Sequence, residues 1–234
     1  MQHSEQTIAR YDIYARIHKA IRAMMSETLT AVGRCDWLDR DECAQTLAQL
    51  RDLADFCFAH LTHENQFLHP AMEARAPTTS MAVAHEHVEH ETAIKRLRTQ
   101  AAAVEMLNGD ARLAAGDALY RMLAAFVGEN FLHMHDEETR HNAVLWATHS
   151  DAEIAGIEQA LVRSLAPGEN QQSMRWMIPS LTHHERVALF AGMREHAPAP
   201  VFEGTLAMAR GLLPAADWNK LDAALQLGVQ ANAA

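Results

Sequence analysis

The sequence predicts an all-α protein: an antiparallel, up-down four-helix bundle over residues 1–149, then an all-helical extension over 150–234. Three observations predict this fold. Apolar residues recur at three- and four-residue spacing through four long stretches, the period of a helix with one buried face. Glycine-punctuated, β-branched runs that would read as strands are missing. The links between the long stretches are short, roughly 5–9 residues, as between antiparallel neighbours in a bundle.

The first helix is expected over about 5–32, where Tyr14, Ile17, Ile21, Met24, Met25 and Leu29 form an apolar stripe that includes His18. The stretch from Gly33 to Asp39 reads as a connection, with Asp39 or Asp41 capping the second helix over about 41–74. Pro70 is the place where that helix kinks or ends early. Pro77-Thr-Thr-Ser80 reads as a break, with Ser80 capping a third helix over about 81–107. Asn108-Gly109-Asp110 is a stop of the left-handed-cap type, and a fourth helix follows over about 112–148 despite Gly116 and Gly128. Ser150-Asp-Ala-Glu153 has capping-box spacing and opens a helix to about residue 165. Pro167-Gly168 breaks that helix, and shorter ones are expected at 170–178, 183–195, 200–212 and 215–227. Thr182-His-His-Glu185 supplies a second capping box.

Composition removes several function classes. A net charge of −10 with no run of Lys or Arg disfavours nucleic acid and anionic membrane surfaces as partners. No apolar run approaches the ~20 residues of a membrane helix. The first residues lack the basic-then-apolar pattern of a secretion signal. Cys35, Cys43 and Cys57 form no Cys-x-x-Cys pair and read as reduced thiols, so a cytoplasmic location is expected. Phosphate loops, dinucleotide fingerprints and nucleophile elbows are also missing. The 15 histidines are the unusual feature, because imidazole is the commonest metal-ligating side chain.

Two of those histidines sit in a repeated motif. His60-x-x-x-Glu64 recurs as His133-x-x-x-Glu137, with both pairs offset by 73 residues. Positions i and i+4 share a helix face, so each pair points an imidazole and a carboxylate the same way. One such pair is weak evidence, since a solvated helix face shows it by chance. Two copies, each preceded by another histidine-bearing helix, are strong. A bundle would bring His18, His60, Glu64, a histidine from the 85–90 cluster, His133 and Glu137 into one layer. Nitrogen and oxygen donors without thiolate suit iron, manganese or zinc. Six ligands are too many for one tetrahedral ion, but they suit two ions bridged by carboxylates. On the third helix both His87 and His90 are candidates.

This pattern resembles the hemerythrin-like family of helical cation-binding domains, over roughly residues 10–148. The resemblance implies two iron ions in an oxo- or hydroxo-bridged centre that meets oxygen, peroxide or nitric oxide. Glu86-His87 resembles the family's acidic-His pair and favours His87 as ligand, leaving His90 to orient one. Oxygen-carrying hemerythrins have two histidines four apart on this helix, whereas His87 and His90 are three apart. One ligand fewer leaves an exchangeable position, which favours a di-iron oxidoreductase over a reversible oxygen carrier. The alternative is a sensing module that signals through residues 150–234, which also offer a surface for a homodimer or protein partner. His63, His69, His85, His135 and His141 are read as solvated or as hydrogen-bonding to ligands, with His141 the best placed of them. Cys57, Tyr11 and Tyr14 are read as core packing. A ferritin-like site and a zincin both fail, for want of the paired Glu-x-x-His and the His-Glu-x-x-His they require.

Overall fold

The computed structural model describes residues 10–231, with side chains through Gln226, and every regular element among them is helical. These helices form two compact units. One holds the described residues up to Ala15 together with Met25–Ser164; the other holds Arg16–Met24 together with the described residues from Leu165 on. None of the described helices is long and apolar enough to cross a membrane.

The helix α1 spans Ala15–Arg34. Its start is later than the periodicity suggested, because the Asp12 carboxylate accepts the N–H groups of Tyr14 and Ala15 at 3.0 Å and turns the chain there. The expected helical residues 5–9 lie outside the described part of the chain.

In the first unit, α2 (Arg40–His63) is capped by Asp39, whose carboxylate accepts from the N–H groups of Asp41 and Glu42. Its helical course continues through a π turn at Glu64–Leu68 into α3 (His69–Arg75). Proline at position 70 neither breaks nor ends the run. It sits just after the widened turn, where a missing N–H and a bulky ring are easiest to accommodate. The next helix, α4 (Met81–Met106), is not capped by Ser80 as expected: that hydroxyl donates to Glu73 Oε1 at 2.7 Å instead.

Gly109 takes φ +55° and opens α5 (Gly109–Asp136), three residues before the expected start. Gly116 is demanded by packing, since a Cβ there would stand 2.3 Å from Trp37 Nε1. A second π turn at Glu137–His141 leads into α6 (Asn142–Thr148), and α7 (Asp151–Ser164) follows behind the Ser150–Glu153 capping box. Helix α4 packs on α2 and α5, while α3 packs on α6. Ile13, Tyr14, Leu68, Met72, Leu145 and Ile154 close a buried apolar cluster at the end where both π turns lie.

The second unit contains α8 (Pro167–Ser180), α9 (His183–His196), α10 (Ala199–Leu212) and α11 (Ala215–Ala231). Proline occupies the first position of α8, where its missing N–H has no intrahelical partner to lose, so the helix starts earlier than residue 170. Thr182 and Glu185 form the expected capping box. Ile178, Phe190, Ala209, Leu213, Leu221 and Leu225 make an apolar core. Arg186 is buried and donates to the carbonyls of Ile178 and Pro179, satisfying the end of α8.

Candidate metal centre

Each half of the site begins on the last turn of a long helix. His60 and Glu64 lie four apart at the end of α2, and His133 and Glu137 occupy the same places at the end of α5. At each glutamate the helix widens by one residue. The N–H of His69 reaches back to the carbonyl of Glu64, and that of Asn142 to the carbonyl of Glu137, both five-residue bonds of the π type. Glu64 and Glu137 are almost wholly buried, at 2% and 0% exposure.

Four side chains then converge. Glu64 turns Oε1 toward His60 Nε2 at 3.2 Å and Oε2 toward His87 Nε2 at 3.5 Å. Glu137 Oε1 lies 3.4 Å from His133 Nε2 and 3.7 Å from His87 Nε2. Glu64, His87, His133 and Glu137 each offer one donor atom, and these four atoms lie within 4.8 Å of one another. A neighbouring group is made by His69, Glu137 and His141 under the same spacing.

The protons on the rings decide what this arrangement can do. His87 Nδ1 donates to Asn65 Oδ1 at 2.8 Å, and His133 Nδ1 donates to Glu86 Oε2 at 2.7 Å. A neutral imidazole that donates from Nδ1 carries a lone pair on Nε2. The two Nε2 atoms meet at 3.1 Å, so two lone pairs address one point flanked by carboxylates. Burial pushes His87 down to about 4, which keeps its ring neutral at ordinary pH. Two acceptors do not bond each other; a cation between them satisfies both. Imidazole, carboxylate and no thiolate is the donor set of iron, manganese or zinc. The residues present therefore fit a cation.

The other predicted residues take different places. His90 is buried but stands edge-on to His133, ring centres 4.6 Å apart, and to Phe126 at 6.1 Å. It belongs to neither convergent group. His18 is fully buried on α1, within the Arg16–Met24 segment that belongs to the second unit. His85 and His135 are exposed, as expected. Cys57 is buried, and burial pushes its thiol up to about 12, which fits core packing.

For two residues the structure removes the solvated alternative. His69 and His141 are buried at 6% and 2% exposure, not solvated, and each aligns with Glu137. Burial pushes both down to about 4, with the neighbouring histidines adding to the effect. His69 falls five residues after Glu64, which an α-helix would place roughly 140° away from it. The π turn brings it back. His141 was the easier to find, being two turns beyond His133 on one face.

Buried imidazoles and carboxylates converging between helices define a helical cation-binding domain. The chain belongs to the hemerythrin HHE cation-binding domain family, whose model matches residues 9–145. No curated protein and no solved structure gave a match.

Proposed function

We propose that the protein is a dinuclear non-haem iron protein, built as an antiparallel four-helix bundle, whose centre meets dioxygen, peroxide or nitric oxide. In this reading His60, Glu64, His87, His133 and Glu137, with His18 as the sequence motif suggests, would hold the metal. The observation that carries it is the 3.1 Å approach of His87 Nε2 and His133 Nε2, two lone pairs directed at one point. Support for a second position comes from Glu64, which faces His60 with one oxygen and His87 with the other. Iron rests on membership of the family; manganese and zinc suit the same donors.

When bound, a pair of iron ions supplies one-electron chemistry and exchangeable positions for a small ligand. The chain supplies the frame. Asn65 and Glu86 hold the rings of His87 and His133 with Nε2 inward, so that loading requires little reorganisation. His90, edge-on to His133, is read here as a positioning residue. Tyr14 is buried with its hydroxyl 3.2 Å from His141 Nδ1, where it can hold a proton beside the site.

Elemental analysis and an optical spectrum on full-length protein purified without chelator test this reading. At least two irons per chain are expected, with near-ultraviolet bands that respond to dithionite and air. Iron-loaded protein should then remove peroxide or nitric oxide faster than free iron. Stoichiometric zinc, or iron with no redox response, would sink the redox reading and leave a cation-binding bundle.

A further inference from the structure

We propose that His69, His141 and Glu137 hold a further cation, beside the pair and sharing Glu137 with it. The inference rests on the dinuclear reading above for its neighbour, but its own residues are different. His69 and His141 are each more than nine-tenths buried, and neither Nε2 has a hydrogen-bond partner. A buried imidazole nitrogen kept without a partner is uncommon, because it loses water and gains nothing in exchange. Here two such nitrogens stand with a Glu137 oxygen, all within 4.8 Å of one another. The rings meet edge to face with centres 5.6 Å apart.

The surroundings hold this geometry. His141 Nδ1 lies 3.2 Å from the Tyr14 hydroxyl, and a ring that donates there keeps its Nε2 lone pair for a metal. His69 is stacked on His87 at 5.0 Å with an 18° tilt, which sets the orientation of its ring. Glu137 turns Oε1 to His87 and His133, and one of its oxygens lies within the same 4.8 Å spacing of both imidazole nitrogens. His69 makes the closing bond of the π turn that begins at Glu64, and His141 is the last residue of the one that begins at Glu137. An ordinary α-helix would have carried His69 to another face, so the widened turn serves this group directly. Two imidazoles and a carboxylate suit zinc, manganese or iron(II), with positions left open.

Metal-free full-length protein titrated with zinc, and separately with cobalt(II), gives the test. Bound metal is counted after gel filtration, and cobalt absorption is followed through the titration. Three equivalents are expected for the wild type and two for H69Q, H141Q and the double variant. The third cobalt equivalent should add absorption that all three variants lack. Circular dichroism of the metal-free variants checks that they fold, and the glutamine replacements keep side-chain volume close to native.

Saturation at two in the wild type and in every variant would overturn this inference while leaving the pair. Saturation at two in the wild type but one in the variants would also overturn it, making these histidines ligands of the pair. Saturation at one in the wild type, or no binding, would overturn both this inference and the dinuclear reading.

Discussion

The Glu64 and Glu137 halves of the site share one local design but have different neighbours. Each has a histidine, a glutamate four residues later and a π turn opening at that glutamate, but His69 makes the closing bond of the first turn while Asn142, one residue after His141, closes the second. Yet Glu64 takes part in one convergent group of the first unit, while Glu137 takes part in two. His133 is anchored by a carboxylate, whereas the His60 side chain is 17% exposed. His141 has a tyrosine hydroxyl beside its Nδ1; His69 has a stacked ring. Repetition sets which donors face inward, and the neighbouring helices then make the halves unequal.

Glutamine at either glutamate should expose that inequality most strongly. A metal at a thousandfold excess over its dissociation constant stabilises by about 4 kcal/mol. The E137Q variant should lose that protection and bind less than one ion per chain, while E64Q should keep part of both. Thermal melts with and without zinc would measure the difference. Equal losses would mean that the halves are equivalent.

The ring anchors come next. Replacing an outer hydrogen-bond partner of a metal-bound histidine typically lowers affinity roughly 10–100-fold. Glu86→Gln should fall near the top of that range and Asn65→Ala near the bottom, because a carboxylate polarises the His133 ring more than an amide polarises His87. Competition with a chelator reads both constants. Asn65→Ala as the worse variant would reverse the assignment.

Acid should weaken both halves together. His69, His87, His90 and His141 are all pushed down to about 4, chiefly by burial, while unfolded histidine titrates near 6.5. The unfolded chain therefore takes up protons that the metal-free native state refuses. Stability is present in full above pH ~6.5 and is lost as pH falls toward ~4, by on the order of 1 kcal/mol per histidine for each pH unit at most. Urea melts of metal-free protein at pH 7.5 and 5 should show the loss, and a flat profile would contradict the burial of these rings. The smallest effect belongs to Tyr14→Phe, which removes the hydroxyl beside His141 Nδ1. It should cost about 1 kcal/mol in metal-free protein, read from the same melts.

Much of this site was legible because it is local. His60-x-x-x-Glu64 and His133-x-x-x-Glu137 need only a helix to align each pair, and the repeat itself signals a shared site. His69 was not legible, because its position depends on one extra residue in a turn. A periodicity of 3.6 assigns it to the wrong face, and no residue type announces a π turn. The choice between His87 and His90 was similarly hidden, since residues three apart both lie near one face. Ser80 looked like a cap by type, but its hydroxyl went to Glu73, a partner seven residues away.

From the sequence alone came the all-helical fold, the two glutamates and most of the histidines, together with membership of a cation-binding family. Those follow from spacing along single helices, which the backbone imposes wherever a helix forms. Tertiary structure decided which Nε2 atoms meet, which rings are held by Asn65 and Glu86, and that His69 and His141 turn inward. Such choices depend on how helices pack and where a turn widens, and the energies involved are shared among residues far apart in the chain.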